Sequence, residues 1–178
     1  MVRFSFGCIF LTATMLMGCD SQQSQSPKAF SQHGITFQLP GDWSADDAEN
    51  IGSTAFSVNC QKNGFDDSGL VIITCFSDSL DLNNVQRIFQ NQLDSTSLYK
   101  LADVKFSPAK PGHFGHYETL QAHFTMSMLG TPHSGWLDAF YRNNHTFMVL
   151  RQQANEDSAK NKSGFALISK TLDVKQGQ

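Results

Sequence analysis

The stretch YETLQAHFTMSM, residues 117–128, decides the fold class. Successive side chains of an extended chain point to opposite faces, so Glu118, Leu120, Ala122, Phe124, Met126 and Met128 share one side. Tyr117, Thr119, Gln121, His123, Thr125 and Ser127 share the other, and this more polar side leaves the first to be buried. Two turn-forming stretches, GTPHSG at 130–135 and RNNH at 142–145, set off the apolar runs Trp136–Arg142 and Thr146–Gln152. Short connections join antiparallel neighbours, so these runs predict a meander. Phe124, Met126 and Met128 are read as core. The alternative is an adaptable apolar groove for a hydrophobic peptide, since methionine conforms to varied partners.

Working backwards along the chain, GITFQL at 34–39 alternates in the same way and stops at Pro40-Gly41, which predicts a first strand. TAFSVNCQ at 54–61 and LVIITCFS at 70–77 flank the turn-rich loop KNGFDDSG and predict two neighbouring strands. Val71 to Phe76 is apolar at nearly every position, as a central strand covered on both faces requires. From Asp81 the period changes. Val85, Ile88, Phe89 and Leu93 form one stripe of a helix reaching about Leu98, with Asp81 as its N-cap. A further strand is expected near Leu101 to Phe106, followed by the loop SPAKPGHFG at 107–115. Phe165, Ile168 and Leu172 predict a closing helix within Asn155–Leu172, in which Gly164 costs about 1 kcal/mol against Ala. Strands and two one-sided helices imply a layered α+β domain: a largely antiparallel sheet of six to seven strands packed with two main helices.

The first residues follow a different pattern. Arg3 precedes Phe4 to Met17, an uncharged apolar run whose length of about 21 Å is short of a bilayer's hydrocarbon core and fits an export signal. The sequence Leu16-Met17-Gly18-Cys19 resembles the lipobox of bacterial lipoproteins. That resemblance implies cleavage between Gly18 and Cys19, a diacylglycerol thioether on Cys19 and acylation of the new amino terminus. Several chains anchor a protein where a single one binds only marginally. An ordinary secretory signal with an incidental Cys19 is the alternative. Asp20 resembles the enterobacterial signal for retention at the inner membrane, so the periplasmic face of that membrane is expected, with the outer membrane as the alternative. Residues 1–18 are thus assigned to the signal peptide, 19–33 to the lipidated cysteine and a Ser/Gln-rich tether of about 20 Å, 34–174 to one domain and 175–178 to a tail. The formal charge of -3 offers no basic field for nucleic acid or for an anionic lipid surface, and neither partner is favoured.

The order of strand, LPGDW, two strands, helix, four strands and helix resembles bacterial domains of the DcrB type, within the PsbP-like and Mog-like group of α/β/α sandwiches. Ile35, Phe37 and Leu39, then Pro40, Gly41 and Trp43, and the closing FALISKTL helix at 165–172 carry the resemblance, which covers about Gly34 to Val174. It transfers no catalytic residues. It implies a binding or assembly role of the kinds found in that group: photosystem assembly, envelope functions including phage adsorption, or chaperoning of secreted toxins. From the residues themselves Pro40-Gly41 ends a strand and Trp43 covers the end of the sheet.

If Asp66 to Gly69 forms a four-residue turn, Cys60 falls opposite Cys75 and a disulfide is within reach in an oxidising compartment; two reduced core cysteines are the alternative. His113 and His116 form HxxH in a Pro/Gly loop, but zinc wants a third ligand and no HExxH accompanies them, so loop histidines are preferred, as for His133. His123 lies on the polar side of its strand. There is no GxSxG, SxxK, GxxxxGK[ST] or GxGxxG. Asp66-Asp67 and Glu156-Asp157 are read as turn and helix-start carboxylates, and Asn144-His145-Thr146 as a β-turn despite its sequon form. The sequence therefore leads to a membrane-anchored periplasmic lipoprotein with a non-catalytic binding or assembly role and no cofactor or metal. Its expected partners are the bilayer, through the acyl chains on Cys19, and an envelope or secreted protein. An immunity-type or chaperone-like toxin binder and a small metal protein or hydrolase are the alternatives.

Overall fold

A computed structural model describes residues 26–64, 67–95 and 102–175. The meander read from YETLQAHFTMSM is its centre. β9 (Tyr117–Met128), β10 (Thr131–Arg142) and β11 (His145–Ala154) pair antiparallel, with Gly135 opposite Phe124 and Leu137 opposite Leu150. The connections are tighter than expected. GTPHSG belongs to β10, because the β9–β10 turn is only Leu129-Gly130, both at positive φ as a two-residue primed turn requires. Asn143-Asn144 makes the equivalent turn between β10 and β11, with φ of 53° and 62°.

Upstream lie β1 (Lys28–Gln32), β2 (Ile35–Leu39), β3 (Trp43–Ala45), β4 (Glu49–Ile51), β5 (Ala55–Lys62) and β6 (Leu70–Phe76). Helix α1 (Leu82–Ser95), β7 (Lys105–Phe106) and β8 (Lys110–Phe114) come before the meander. A 3-10 turn at Asn155–Asp157, α2 (Ser158–Thr171) and β12 (Asp173–Val174) follow it. The larger sheet runs β3-β5-β6-β11-β10-β9-β7, with β4 on β5 and β8 on β9; β1, β2 and β12 form a separate sheet in the order β1-β2-β12.

The α+β class with two helices is as expected, but the strands are more numerous than six or seven. The additional ones are short edge pieces too brief to show a period. One of them, β8, holds Pro111 and Gly112 in a stretch whose sequence predicts a loop, yet an edge strand tolerates a proline that has no N–H to donate inward. The tether also ends sooner than residue 33. Lys28–Gln32 pairs along β2, and Phe30 stacks on Phe37 at 4.7 Å, so the single aromatic of the Ser/Gln stretch is enough to dock it.

Among the described residues each face of the large sheet carries one helix. Val58, Val71, Ile73, Tyr117, Phe140, Phe147 and Val149 pack with Phe165, Ile168 and Leu172 from the α2 end and with Ile35, Phe37 and Leu39 of the small sheet. On the opposite face Phe124, Met126, Leu137, Ala139, Met148 and Leu150 pack with Val85 and Phe89 of α1. This explains a break in the pattern of β9. Tyr117 and Thr119 are buried on the polar-looking side at one end, and Ala122, Phe124 and Met126 on the apolar side at the other, because different helices cover the two ends. β6 lies between β5 and β11, as its continuous apolar run predicts. Asp81 caps α1, its Oδ1 accepting the Asn83 N–H at 3.0 Å. Trp43 is 1% exposed and meets Phe165 edge-on at 5.6 Å, so its role is in the packing, as expected.

Candidate functional site

An aromatic ladder crosses the α2-side face of the large sheet. Tyr117 stacks on Phe140 at 4.4 Å, and Phe140 on Phe147 at 5.3 Å. The registers Phe140–Phe147, Phe147–Cys75 and Cys75–Phe56 continue this row across β10, β11, β6 and β5. Near its far end the row borders a cleft of about 470 Å³. Phe56, Cys75, Phe147 and Val174 are its apolar wall; His33, Arg142, Asn143, Asn144, His145 and Lys175 complete the lining. A smaller hollow of about 160 Å³, lined by Asn50 and residues 52–56, adjoins it through Phe56, Cys75 and His145.

The polar side of the cleft is made by two tight turns from different sheets. His33-Gly34, joining β1 to β2, has φ of 48° and 75°, and Asn143-Asn144 joins β10 to β11. β12 closes the wall. The Val174 N–H donates to the Tyr117 hydroxyl at 3.0 Å, and the Lys175 N–H to the Gly34 carbonyl at 2.9 Å. Burial raises the Tyr117 phenol above its ordinary pKa, opposed chiefly by the Val174 N–H. The His33 ring lies 4.9 Å from Phe56. A 2.7 Å hydrogen bond from His145 Nδ1 to the Asn143 carbonyl assigns the proton to Nδ1 and holds the ring. Asn143 Nδ2 is buried and has no acceptor among the described residues.

Among the described residues no aspartate or glutamate lines this cleft. Asp173 is the nearest one in sequence, and neighbouring strand residues point to opposite faces, so Val174 enters the wall and Asp173 turns away. The Cys75 thiol is pushed up to about 11 by burial and stays protonated at neutral pH. The cleft can therefore hold an anion and an apolar group side by side, and Cys75 supplies no thiolate to it.

The residues named from sequence fall elsewhere. Gly18, Cys19 and Asp20 lie outside the described residues. The disulfide expected between Cys60 and Cys75 is corrected: both are free and buried, Cys60 pairing with Val71 and Cys75 with Phe56. Positions separated by four residues along paired strands are about 13 Å apart, beyond disulfide reach. The register differs because the β5–β6 loop is longer than a four-residue turn. Ser68 Oγ bonds Asp157 and the Ala154 N–H, each at 2.8 Å, and Gly69 lies against Trp43, so this segment serves the start of α2 and cannot extend the hairpin. Burial, with a smaller contribution from Asp46, pushes the Cys60 thiol up to about 12.

His113 is exposed on β8, and His116 sits in the following turn 4.0 Å from Tyr117. His133 and His123 are on strands; His123 meets Trp136 at 5.3 Å, and burial lowers the His133 pKa against the pull of Asp157 and Glu156. Among the described residues no group of three or more His, Cys, Asp or Glu is placed to hold a metal ion. A buried polar constellation went unread in the sequence. Asp138, fully buried, accepts from Thr119 at 3.0 Å, Gln121 at 2.7 Å and Arg151 at 2.6 Å, while the Arg151 guanidinium lies between Phe114 and Trp136. Every oxygen contact of that carboxylate is made within the sheet, which marks it as structural.

Comparison with known folds agrees with this architecture. The chain is similar to the cyanobacterial PsbP (CyanoP) of Synechocystis sp. PCC 6803, at 15% identity and a TM-score of 0.55, covering 90% of this chain and 99% of that one. The fold is PsbP-like. A protein of Bacteroides thetaiotaomicron VPI-5482 is similar at 16% identity and a TM-score of 0.51 over 84% of this chain, which spans only 48% of that protein. LpqN of Mycobacterium tuberculosis, a protein involved in cell envelope biogenesis, has a TM-score of 0.47 at 13% identity, over 84% of this chain and 89% of that one. No family profile and no curated protein match the sequence. No helix among the described residues is long and apolar enough to cross a membrane.

Proposed function

We propose that this chain is a lipid-anchored protein of the bacterial envelope whose PsbP-like domain has a non-catalytic binding role, and that the cleft between the His33-Gly34 and Asn143-Asn144 turns is its binding site. The observation that carries the binding role is the composition of that cleft: an apolar wall beside Arg142 and Lys175, with no acidic residue among the described residues of the lining. The Leu16-Met17-Gly18-Cys19 sequence supports the anchor and Asp20 the inner membrane. β1 starts at Lys28, so the segment between a lipidated Cys19 and the folded domain is short, and the domain is held close to the bilayer.

Growth with labelled palmitate tests the anchor directly. The wild type is expected to incorporate label and fractionate with membranes, and Cys19→Ser to lose the label and the processed amino terminus. A mature protein beginning at a residue other than Cys19 would rule out the lipoprotein reading. For the binding role, a photo-crosslinking residue at position 144 is expected to capture an envelope component that the same probe at the exposed Leu129 does not. Equal capture from both positions would remove the cleft from the reading.

A further inference from the structure

Resting on that reading of the cleft, we infer that its ligand is a small amphiphilic anion: a phosphate or carboxylate group joined to a compact aromatic or branched apolar body. Acidic residues outnumber Lys and Arg in this chain, 16 against 13, so a lining whose described residues include two cations and no carboxylate departs from the composition of the whole. Among the described residues neither Arg142 nor Lys175 has a carboxylate within 4.0 Å. Both cations are exposed at the mouth, free to meet a charge that arrives from solvent. A guanidinium and an ammonium on one rim suit an oxyanion, which accepts several charge-assisted hydrogen bonds at once.

A second observation is independent of charge: the apolar wall itself. Behind the polar rim, Phe147 is 2% and Val174 6% exposed, and the Phe56 ring lies beside them; this wall has nothing to offer a second charge. A volume of about 470 Å³ falls in the range of small-ligand sites. Inorganic phosphate would leave the apolar wall unused, and an uncharged apolar molecule would leave the rim unused. The required chemistry is common to free organic phosphates or carboxylates and to the headgroup region of an anionic lipid.

Phenyl phosphate is the probe. Calorimetry on the processed full-length protein in phosphatidylcholine nanodiscs is expected to give saturable one-to-one binding, with inorganic phosphate weaker by on the order of tenfold or more. Arg142→Gln and Lys175→Gln should each weaken phenyl phosphate on the order of tenfold, the loss of one charge-assisted contact. Asn143→Asp keeps a residue that tolerates positive φ but puts a negative charge into the lining, and should abolish binding. An unchanged melting temperature for the three variants checks that the turns still form. Repeating the titration with phosphatidylglycerol in the discs separates the sources: competition assigns the site to a lipid headgroup, and its absence to a free anion. No saturable binding, equal affinity for inorganic phosphate, or binding indifferent to all three substitutions would overturn the inference. Palmitate labelling of Cys19 is read separately, so lost ligand binding in a labelled protein overturns the ligand and leaves the envelope reading standing.

Discussion

Gly164 lies inside α2, where intrinsic propensity and packing make opposite demands. By propensity alone Gly164→Ala should stabilise the protein by about 1 kcal/mol. The structure reverses the sign. A Cβ built on Gly164 would lie 2.7 Å from Trp43 Cε2 and Cζ2 and 2.8 Å from Nε1, against an ordinary carbon contact of about 3.5 to 4.0 Å. The indole has no room to retreat. On the side of the β5–β6 loop, the space a Gly69 Cβ would occupy is 2.9 Å from Trp43 Cζ2 and Cη2, and Phe165 meets the ring edge-on. Overpacking a rigid core position costs about 1 to 3 kcal/mol, and a ring that is 1% exposed and in contact with Phe165 belongs at the upper end. Net of the propensity gain, Gly164→Ala should destabilise by about 2 kcal/mol, a fall of about 4 to 8 °C in melting temperature for a chain of this size. Urea unfolding should show a lower midpoint with an unchanged slope. Trp43→Phe in the Gly164→Ala background should recover part of the loss, giving a coupling of at least about 1 kcal/mol in the double-mutant cycle. A Gly164→Ala protein more stable than the wild type would refute the reasoning, because the helix would then be reporting its own propensity and not the indole.

Further outcomes follow from other parts of the fold. Asp138→Ala should destabilise by about 3 to 5 kcal/mol, since it leaves Arg151 uncompensated between two aromatic rings; adding Arg151→Met should restore more than half of this in chemical denaturation, and no restoration would mean the pair is not the cause. Cys60 and Cys75, raised to about 12 and about 11, should resist alkylation at pH 8 in the folded protein and both react once it is unfolded without reductant; a mass showing two protected sulfurs would contradict the register described above. Lys160 and Ser68 lower the Asp157 pKa, so Asp157 contributes stability above its unfolded pKa of about 3.9, and loses it as the pH falls through its still lower folded value. The stability gap between the wild type and Asp157→Asn should accordingly be present at pH 7 and close on acidification below about pH 4; a gap that widens there would reverse the assignment.

The long elements were legible because each carries its period many times over. YETLQAHFTMSM has enough alternations to be unambiguous, and LVIITCF is apolar on both faces because helices lie on both sides of it. The short edge strands were not legible: a run of two to five residues fits strand, turn or loop equally well until a neighbour pairs with it. The Cys60–Cys75 pairing failed for a related reason. Register was inferred from loop length, but Ser68 and Gly69 are held by Asp157, Ala154 and Trp43, contacts that span the chain and leave no local pattern.

The cleft lies at the far end of that scale. Each half was visible: Asn143-Asn144 as a turn signal, and His33-Gly34 as the boundary before a strand. What the sequence could not contain is that these turns approach one another. β12, at the other end of the domain, holds them together by pairing Val174 with Ile35 and by giving its N–H to the Tyr117 hydroxyl. The lone strand that closes the small sheet thus places Lys175 on the same rim as Arg142 and seals the wall with Val174. A tail expected to begin at residue 175 is where the site is completed. Charge supplies the directional evidence here. In a protein with a net excess of acids, a lining that carries Arg142 and Lys175 and, among the described residues, no carboxylate is one that an anion complements.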